Sequence, residues 1–459
     1  MHGKNPTAAL ESFEKDSVLK IVIKNSIPTL IAMVMVMVYN LADTFFLGLT
    51  HDDLQVTAVS YASPLFMIFL SLGTLFGVGG TSLISRALGA GRVEYAKKVS
   101  AFCMWACIGV GALLMAVLWI FVEDVAVMLG ATGESLALTK SYLEIVVGCG
   151  IFSMVSNCFS AIVRTEGEAM KAMTGSVVGN VLNLILDPLF ILVFKWGVVG
   201  AAVATVIGNA VAAGYYVLYF LRGKSVLSIS PKHVACGDGI LSGVLSVGLS
   251  AFLTNFLVSM CAIVVNARLS GYPSGELLVA GYGVTSKVLM LTILGGIGVA
   301  SGVQPFLGYS YGARDKKRLL SGIRVSVLLS TCLCVVVSIL CFLFAEPIVR
   351  IFLTEDASVE AGARFIRILM STTWLIGVFC VFQTTLQATG AATGSLLSAV
   401  FRQGILFIPA AFLLEAAIGM DGLLWAQPVA DVLTLVILFF LLRHKINSTD
   451  FTAPVEAEE

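Results

Sequence analysis

The chain is 459 residues long, 58% hydrophobic and 12% charged, and its 28 basic and 28 acidic residues cancel. A mean hydropathy of +0.97 is more apolar surface than a soluble domain can bury, so the composition defines an integral membrane protein, and the charge balance leaves no basis for a nucleic-acid partner. Four scattered histidines (His2, His51, His233, His444) lack metal-ligand spacing, and ten cysteines, such as Cys103, Cys107, Cys332 and Cys334, sit mostly in apolar runs as packing residues.

Residues 1–20 form a polar tail with Lys4, Lys15 and Lys20. The apolar stretch after it is long and lacks a small-residue cleavage site, so it is expected to be a retained helix and not a signal peptide. Runs long enough to cross a bilayer cover 21–47, 55–87, 97–122, 139–163, 172–194 and 197–221. After a polar linker at 222–240 come 241–268, 277–308, 319–345, 362–386, 392–415 and 419–442, and then a tail at 443–459 that ends on Glu456, Glu458 and Glu459. The expected fold is an all-α membrane protein of twelve transmembrane helices, six in a first lobe (21–221) and six in a second (241–442). With both tails on one side, they and the even-numbered connections hold 20 basic residues against 6 in the others. The positive-inside bias places both termini in the cytoplasm.

Compared with itself at an offset of 223, the chain repeats: Gly48 meets Gly271, Gly73 meets Gly296, Gly79 meets Gly302, Glu123 meets Glu346 and Gly167 meets Gly390. After a one-residue gap Gly200 meets Gly422. Each half holds an even number of spans, so the halves are expected to be parallel repeats about an axis along the membrane normal.

Differences between the copies point to a site. Asn180, Asn183 and Asp187 share one helical face beside Pro188, and a carboxylate at mid-membrane costs roughly 2.5–3.5 kcal/mol. Their counterparts are Gln403, Leu406 and Ala410; Asp43 aligns with Asn266, Thr205 with Gln427, and Asn209 with Asp431. The first half thus concentrates two carboxylates, Asp43 and Asp187, with amides and a hydroxyl. That set suits a proton or a hard cation such as sodium, because an apolar medium disfavours a bare carboxylate and hard cations take oxygen ligands. Asn157, Asn180, Asn183, Thr205 and Asn209 read equally well, each taken alone, as hydrogen bonds between helices, and Asn40 and Gln403 are further candidates for the site or cavity. Lys287 in the eighth span binds an anionic group, pairs with a carboxylate, or snorkels; its depth favours a cavity-facing role. Arg402 lies towards the cytoplasmic half of its span, where it can snorkel; Asp431 either pairs with it or faces the central cavity, and the sequence does not choose. Pro28 interrupts the first span, where a bend would move Asp43. There is no phosphate loop and no room for a nucleotide-binding domain, so energy must come from an ion gradient.

Six segments, in order, resemble the multidrug and toxic compound extrusion (MATE) family, in particular its MepA-like bacterial branch. They are Ser26-Ile-Pro28, Asn40-Leu-Ala-Asp43, Ser85-Arg-Ala-Leu-Gly89-Ala, Arg164-Thr-Glu-Gly167, Asn183-Leu-Ile-Leu-Asp187-Pro188 and Leu386-Gln-Ala-Thr-Gly390, and the likeness runs from about residue 12 to 445. The resemblance implies twelve helices in two lobes arranged as a V around a central cavity. It implies a monomeric antiporter of the bacterial inner membrane that exports amphipathic or cationic drugs in exchange for H⁺ or Na⁺, without a cofactor and surrounded by lipid. It implies a cation site at Asp43, Asn183, Asp187 and Thr205, with Asn157 close by and Pro28 as the bending point. Other branches carry acidic coupling residues in the seventh and tenth helices; those spans have no central carboxylate here, so coupling through the second lobe is not expected. A lipid-linked saccharide flippase of the same superfamily and a metabolite exporter are the alternatives. The flippase calls for a large cationic cavity, and only Lys287 and Arg402 are basic residues deep within spans.

Overall fold

The computed structural model describes residues 6–50, 53–223, 225–273, 275–353 and 355–452. His2, His51 and the acidic C-terminal residues of the sequence reading lie outside them. All regular structure among the described residues is helical. A short helix α1 (Pro6–Lys15) leads into α2 (Val18–Gly48), α3 (Asp53–Gly89), α4 (Val93–Ile120), α5 (Val122–Met128), α6 (Glu134–Gly148), α7 (Gly150–Arg164), α8 (Ala169–Pro188) and α9 (Gly197–Leu221). The second half repeats the order with α10 (Ile240–Leu269), α11 (Gly275–Gly312), α12 (Lys316–Leu343), α13 (Ala345–Arg350), α14 (Asp356–Thr373), α15 (Ile376–Ala388), α16 (Ala392–Val400), α17 (Phe407–Ile418) and α18 (Met420–Ser448). Even the short α5 and α13 begin at corresponding residues, Val122 and Ala345, so the duplication read from glycines extends to element boundaries.

Among the described residues ten helices are long and apolar enough to span a bilayer singly, and two bent pairs, each counted as one span, bring the number to as many as twelve. The expected spans at 139–163 and 362–386 are not straight. Each is a pair of helices, α6/α7 and α14/α15, bent by 50° at corresponding places. Packing pulls the second member of each pair out of line. Gly150 lies against the Phe69 ring of α3, and a Cβ at Gly377 would come within 2.8 Å of the backbone of α12 at Thr331.

The described chain forms two compact units, one built on Ile31–Gly248, the other on Ser17–Leu30 together with the chain from Leu249 onward. The leading turns of α2 and α10 are therefore exchanged between the sequence halves. Two repeat-equivalent glycines receive them. Gly302 of α11 lies against Asn25 and Ser26 of α2, where an added Cβ would sit 2.7 Å from the Asn25 carbonyl oxygen, and Gly79 of α3 lies against Val244 of α10. Large apolar side chains such as Leu113, Trp119, Val193, Leu221 and Leu328 are exposed, as a lipid-facing surface requires. All ten cysteines are free, and seven are buried.

Candidate cation site

The site is assembled where α8 and α9 touch backbone to backbone. A Cβ on Gly179 would come within 2.6 Å of the Gly208 carbonyl oxygen, and one on Gly208 within 2.7 Å of the Gly179 oxygen. Two glycines at one crossing let the helices approach closely, and that approach carries Asn183 of α8 to Thr205 of α9. The Asn183 amide nitrogen lies 3.4 Å from both Asp187 Oδ1 and Thr205 Oγ1. With the amide turned over, it still donates to Asp187, at 3.3 Å to Oδ2, and its oxygen accepts from the Thr205 backbone at 3.1 Å. In either orientation Asn183 bridges the carboxylate to α9. Asn209 donates to the Thr205 carbonyl oxygen at 3.0 Å.

Asp187 is wholly buried, Asn183 is 3% exposed and Thr205 7%. Below them α8 ends at Pro188, whose missing N–H cannot continue the ladder, and the chain passes through a π-helical turn at Leu189–Val193. Ile191 of that turn packs with Leu47 of α2 and Ala201 of α9. The contact clamps the end of α2 onto the α8–α9 pair and brings in Asp43, one turn before Leu47. Asp43 is half-buried and interacts electrostatically with Asp187. Its Oδ1 is buried without a hydrogen-bond partner, and so is the amide nitrogen of Asn180. A buried polar atom left unpaired costs about 1–3 kcal/mol. Two of them around a buried carboxylate mark a place that a proton, an ion or water completes.

A small cavity lies among Tyr39, Gly179, Asn180, Asn183, Thr205, Gly208 and Asn209, with a volume of about 10 Å³. Drug-sized pockets measure ~300–1,000 Å³, so this one admits an ion or water and no drug. Among the described residues no three His, Cys, Asp or Glu side chains converge on a metal position. Two carboxylates with neutral oxygens fit a monovalent cation or proton as cargo better than a resident transition metal.

The other sequence candidates fall elsewhere. Asn157 of α7 donates to the Leu70 carbonyl oxygen and to Thr74 Oγ1 of α3, each at 2.9 Å, and so ties two helices together. Asn40 is exposed and donates to Val36 of its own helix at 2.8 Å. Pro28 sits inside helix α2, well before Asp43 in the sequence. Lys287 is exposed on α11 and makes no ion pair among the described residues. Arg402 does not snorkel: it is 8% exposed and its Nε donates to Asp431 Oδ1 at 2.7 Å. Gln403 is buried beside it in the second unit. Sequence reasoning missed Tyr39 and Tyr142, which lie near enough to both carboxylates to interact with their charge. Tyr39 left a signal, standing one helical turn before Asp43 on the same face. It also missed Glu166, whose carboxylate accepts from Tyr219 OH at 2.7 Å, Ser225 Oγ at 2.7 Å and the backbone of Val226 at 2.6 Å.

A duplicated, all-helical protein that crosses the membrane up to twelve times, with its acidic cluster in one copy, is the class these observations define. The chain belongs to the MatE family: the family model matches residues 28–189 and again 250–413, two copies that begin 222 residues apart. It is similar to the multidrug export protein MepA of Staphylococcus aureus (strain MRSA252), with 32% identity over 95% of this chain and 96% of that protein. Against MepA of Staphylococcus saprophyticus the identity is 30% over the same shares. Among solved structures, the outward-facing conformation of a multidrug resistance MATE family transporter superposes with a TM-score of 0.90 at 24% identity, covering 98% of this chain and 99% of that one. The family, the helical membrane fold and the kinship with multidrug exporters that the sequence predicts therefore hold.

Proposed function

We propose that this protein is a secondary antiporter, not an enzyme, which exports amphipathic or cationic compounds while H⁺ or Na⁺ returns through the first half. Asp187 and Asp43 take up the ion, Asn183 and Thr205 orient it, and Pro28 gives α2 a bending point that ion uptake at Asp43 can use. The observation that carries this reading is the unpaired, buried Oδ1 of Asp43 next to the wholly buried Asp187. A site of two carboxylates changes charge when it loads, and a change of charge inside a membrane is what couples a gradient to a conformational step. Support for an exporter comes from the MepA relatives. The protein works as a monomer in the bacterial cytoplasmic membrane; the distribution of basic residues supports placing both termini inside. A saccharide flippase fits less well: of the two basic side chains deep in spans, Arg402 is neutralised by Asp431, which leaves Lys287.

One experiment tests the reading. Purified protein in liposomes is given a proton gradient or a sodium gradient separately, and ethidium flux is followed. Exchange of one ion for monovalent ethidium is electroneutral, so a tenfold ion gradient, worth ~1.4 kcal/mol, supports an ethidium gradient of about tenfold. Asp187→Asn, expressed equally, is expected to reduce that gradient to unity. Uphill pumping by this variant would sink the proposal.

A further inference from the structure

The repeat carries the cation site into the second half in altered form. Three residues lining the first-half cavity, Gly179, Thr205 and Asn209, correspond to Arg402, Gln427 and Asp431. Where the first half has a void flanked by glycine, the second has a guanidinium. Arg402 Nε donates to Asp431 Oδ1 at 2.7 Å, and Gln427 Nε2 donates to the same oxygen at 2.7 Å. The guanidinium carbon stands 4.5 Å from the centroid of the Phe379 ring. The pair is closed off from solvent, with side-chain exposures of 9% and 7%. A π-helical turn at Phe401–Ile405, between α16 and α17, presents Arg402 and Gln403 together on the buried side. π-turns carry a backbone cost and recur where a side chain must be re-aimed. No such turn occurs at the corresponding place in α8, which is regular helix from Ala169 to Pro188.

We propose that Arg402 is a tethered cation, seated in the second half's version of the cation site, and that Asp431 with Gln427 forms a latent site for a small monovalent cation, closed by this arginine. The inference rests on the reading of the first-half cluster as a cation site, and extends it. A planar guanidinium bonded to a carboxylate and stacked on an aromatic ring is held by three kinds of contact at once, and unlike a free ion it cannot leave. Its presence means that the second half holds a constant charge through the cycle, so only the first half exchanges ions. The duplicated fold needs a cation or a polar plug at this crossing in both copies; one copy takes it from solution and the other supplies it covalently.

The test measures cation binding in full-length protein, with the first-half site silenced. Asp187→Asn and the double variant Asp187→Asn/Arg402→Ala are melted in guanidinium chloride or sodium chloride at low millimolar concentration, against choline chloride at equal ionic strength. The double variant is expected to gain a saturable rise of ~3 °C from guanidinium or sodium. A triple variant that adds Asp431→Asn is expected to lose it. No gain over Asp187→Asn overturns the inference. A cation response that persists in Asp187→Asn alone counts instead against the first-half site, because the inference is judged on the difference between variants. Should the double variant fail to fold, the wild-type protein answers through labelling by dicyclohexylcarbodiimide, which traps protonated carboxyls in apolar surroundings. Peptide mass spectrometry is expected to find label at Asp187 or Asp43 and none at Asp431, and labelled Asp431 would refute a permanent ion pair.

Discussion

In the first half α8 brings Asn183 and Asp187 up to Thr205 of α9, leaving a carboxylate oxygen of Asp43 and an amide of Asn180 without partners. In the second half Leu406 and Ala410 take the places of Asn183 and Asp187, the buried carboxylate of Asp431 is bonded to Arg402 and Gln427, and that of Glu415 to Arg268 and Tyr272. Both halves share the same order of helices and the same bent fourth span. They differ in whether the buried carboxylates have a cation: Asp431 and Glu415 pair with Arg402 and Arg268, whereas Asp43 and Asp187 have no basic partner among the described residues. Buried charges are normally paired, so the half whose carboxylates lack a cation is the one prepared for an exchangeable partner.

Making the first half more like the second is the sharpest way to break this comparison. Asn183→Leu copies the second half at one position. A hydrogen bond to a charged group contributes ~1.5–3 kcal/mol, so the affinity for the coupling ion is expected to fall about 10–100-fold. The half-saturating ion concentration for drug flux in liposomes measures it. An unchanged value would mean that Asn183 serves α8–α9 packing alone. The reciprocal position, Leu406, has no carboxylate to serve, and Leu406→Ala is expected to change stability without changing the ion dependence.

The next comparison is of backbone spacing. Gly208 corresponds to Ala430, which is already buried with its methyl group. Gly208→Ala pushes a Cβ to 2.7 Å from the Gly179 oxygen and 3.1 Å from the Asn183 Cβ. Overpacking of this kind costs ~1–3 kcal/mol. The expected outcome is a lowered melting temperature together with weaker ion-driven export, because the same displacement separates Asn183 from Thr205. Ala430→Gly should cost ~1–2 kcal/mol, the usual penalty for glycine in a helix plus the lost burial of one methyl group, and leave export unchanged.

How much of this was legible in the sequence follows from what each feature depends on. Membrane residence and the number of spans depend on hydropathy summed over some twenty residues, which a window reads directly. The duplication was legible because close crossings demand glycine, and Gly79 and Gly302 mark the same crossing twice. The Asp187 face was legible because Asn180, Asn183 and Asp187 are local to one helix. The bends at α6/α7 and α14/α15 were not, since they arise from contacts with α3 and α12, and hydropathy does not register direction. Nor was the choice between snorkelling and pairing with Asp431 for Arg402. Asp431 lies 29 residues away on α18, and only the π-turn aims the arginine at it. Tyr142 and Glu166 were missed for the same reason: what they touch comes from distant parts of the chain.

Glu166 gives the smallest of the expected effects and extends the comparison to the linker. Its counterpart is Thr389, whose hydroxyl donates to Thr385 of its own helix at 2.9 Å and so holds nothing distant. Glu166, 2% exposed, instead accepts from Ser225, Val226 and Leu227 at the start of the linker. Further along, Trp105 Nε1 donates to Ile229 at 3.2 Å and Tyr95 OH to Asp238 at 3.1 Å, so the linker lies along α4 as part of the first unit. Glu166→Gln keeps one acceptor oxygen and loses the charge, at a cost of about 1 kcal/mol. That energy corresponds to roughly fivefold more frequent local opening. Trypsin cleavage after the exposed Lys232 is therefore expected to accelerate about fivefold, while Thr389→Ala leaves the rate unchanged. If both variants are cut at the wild-type rate, the linker is held by its contacts with α4 alone, and the Glu166 carboxylate is dispensable to it.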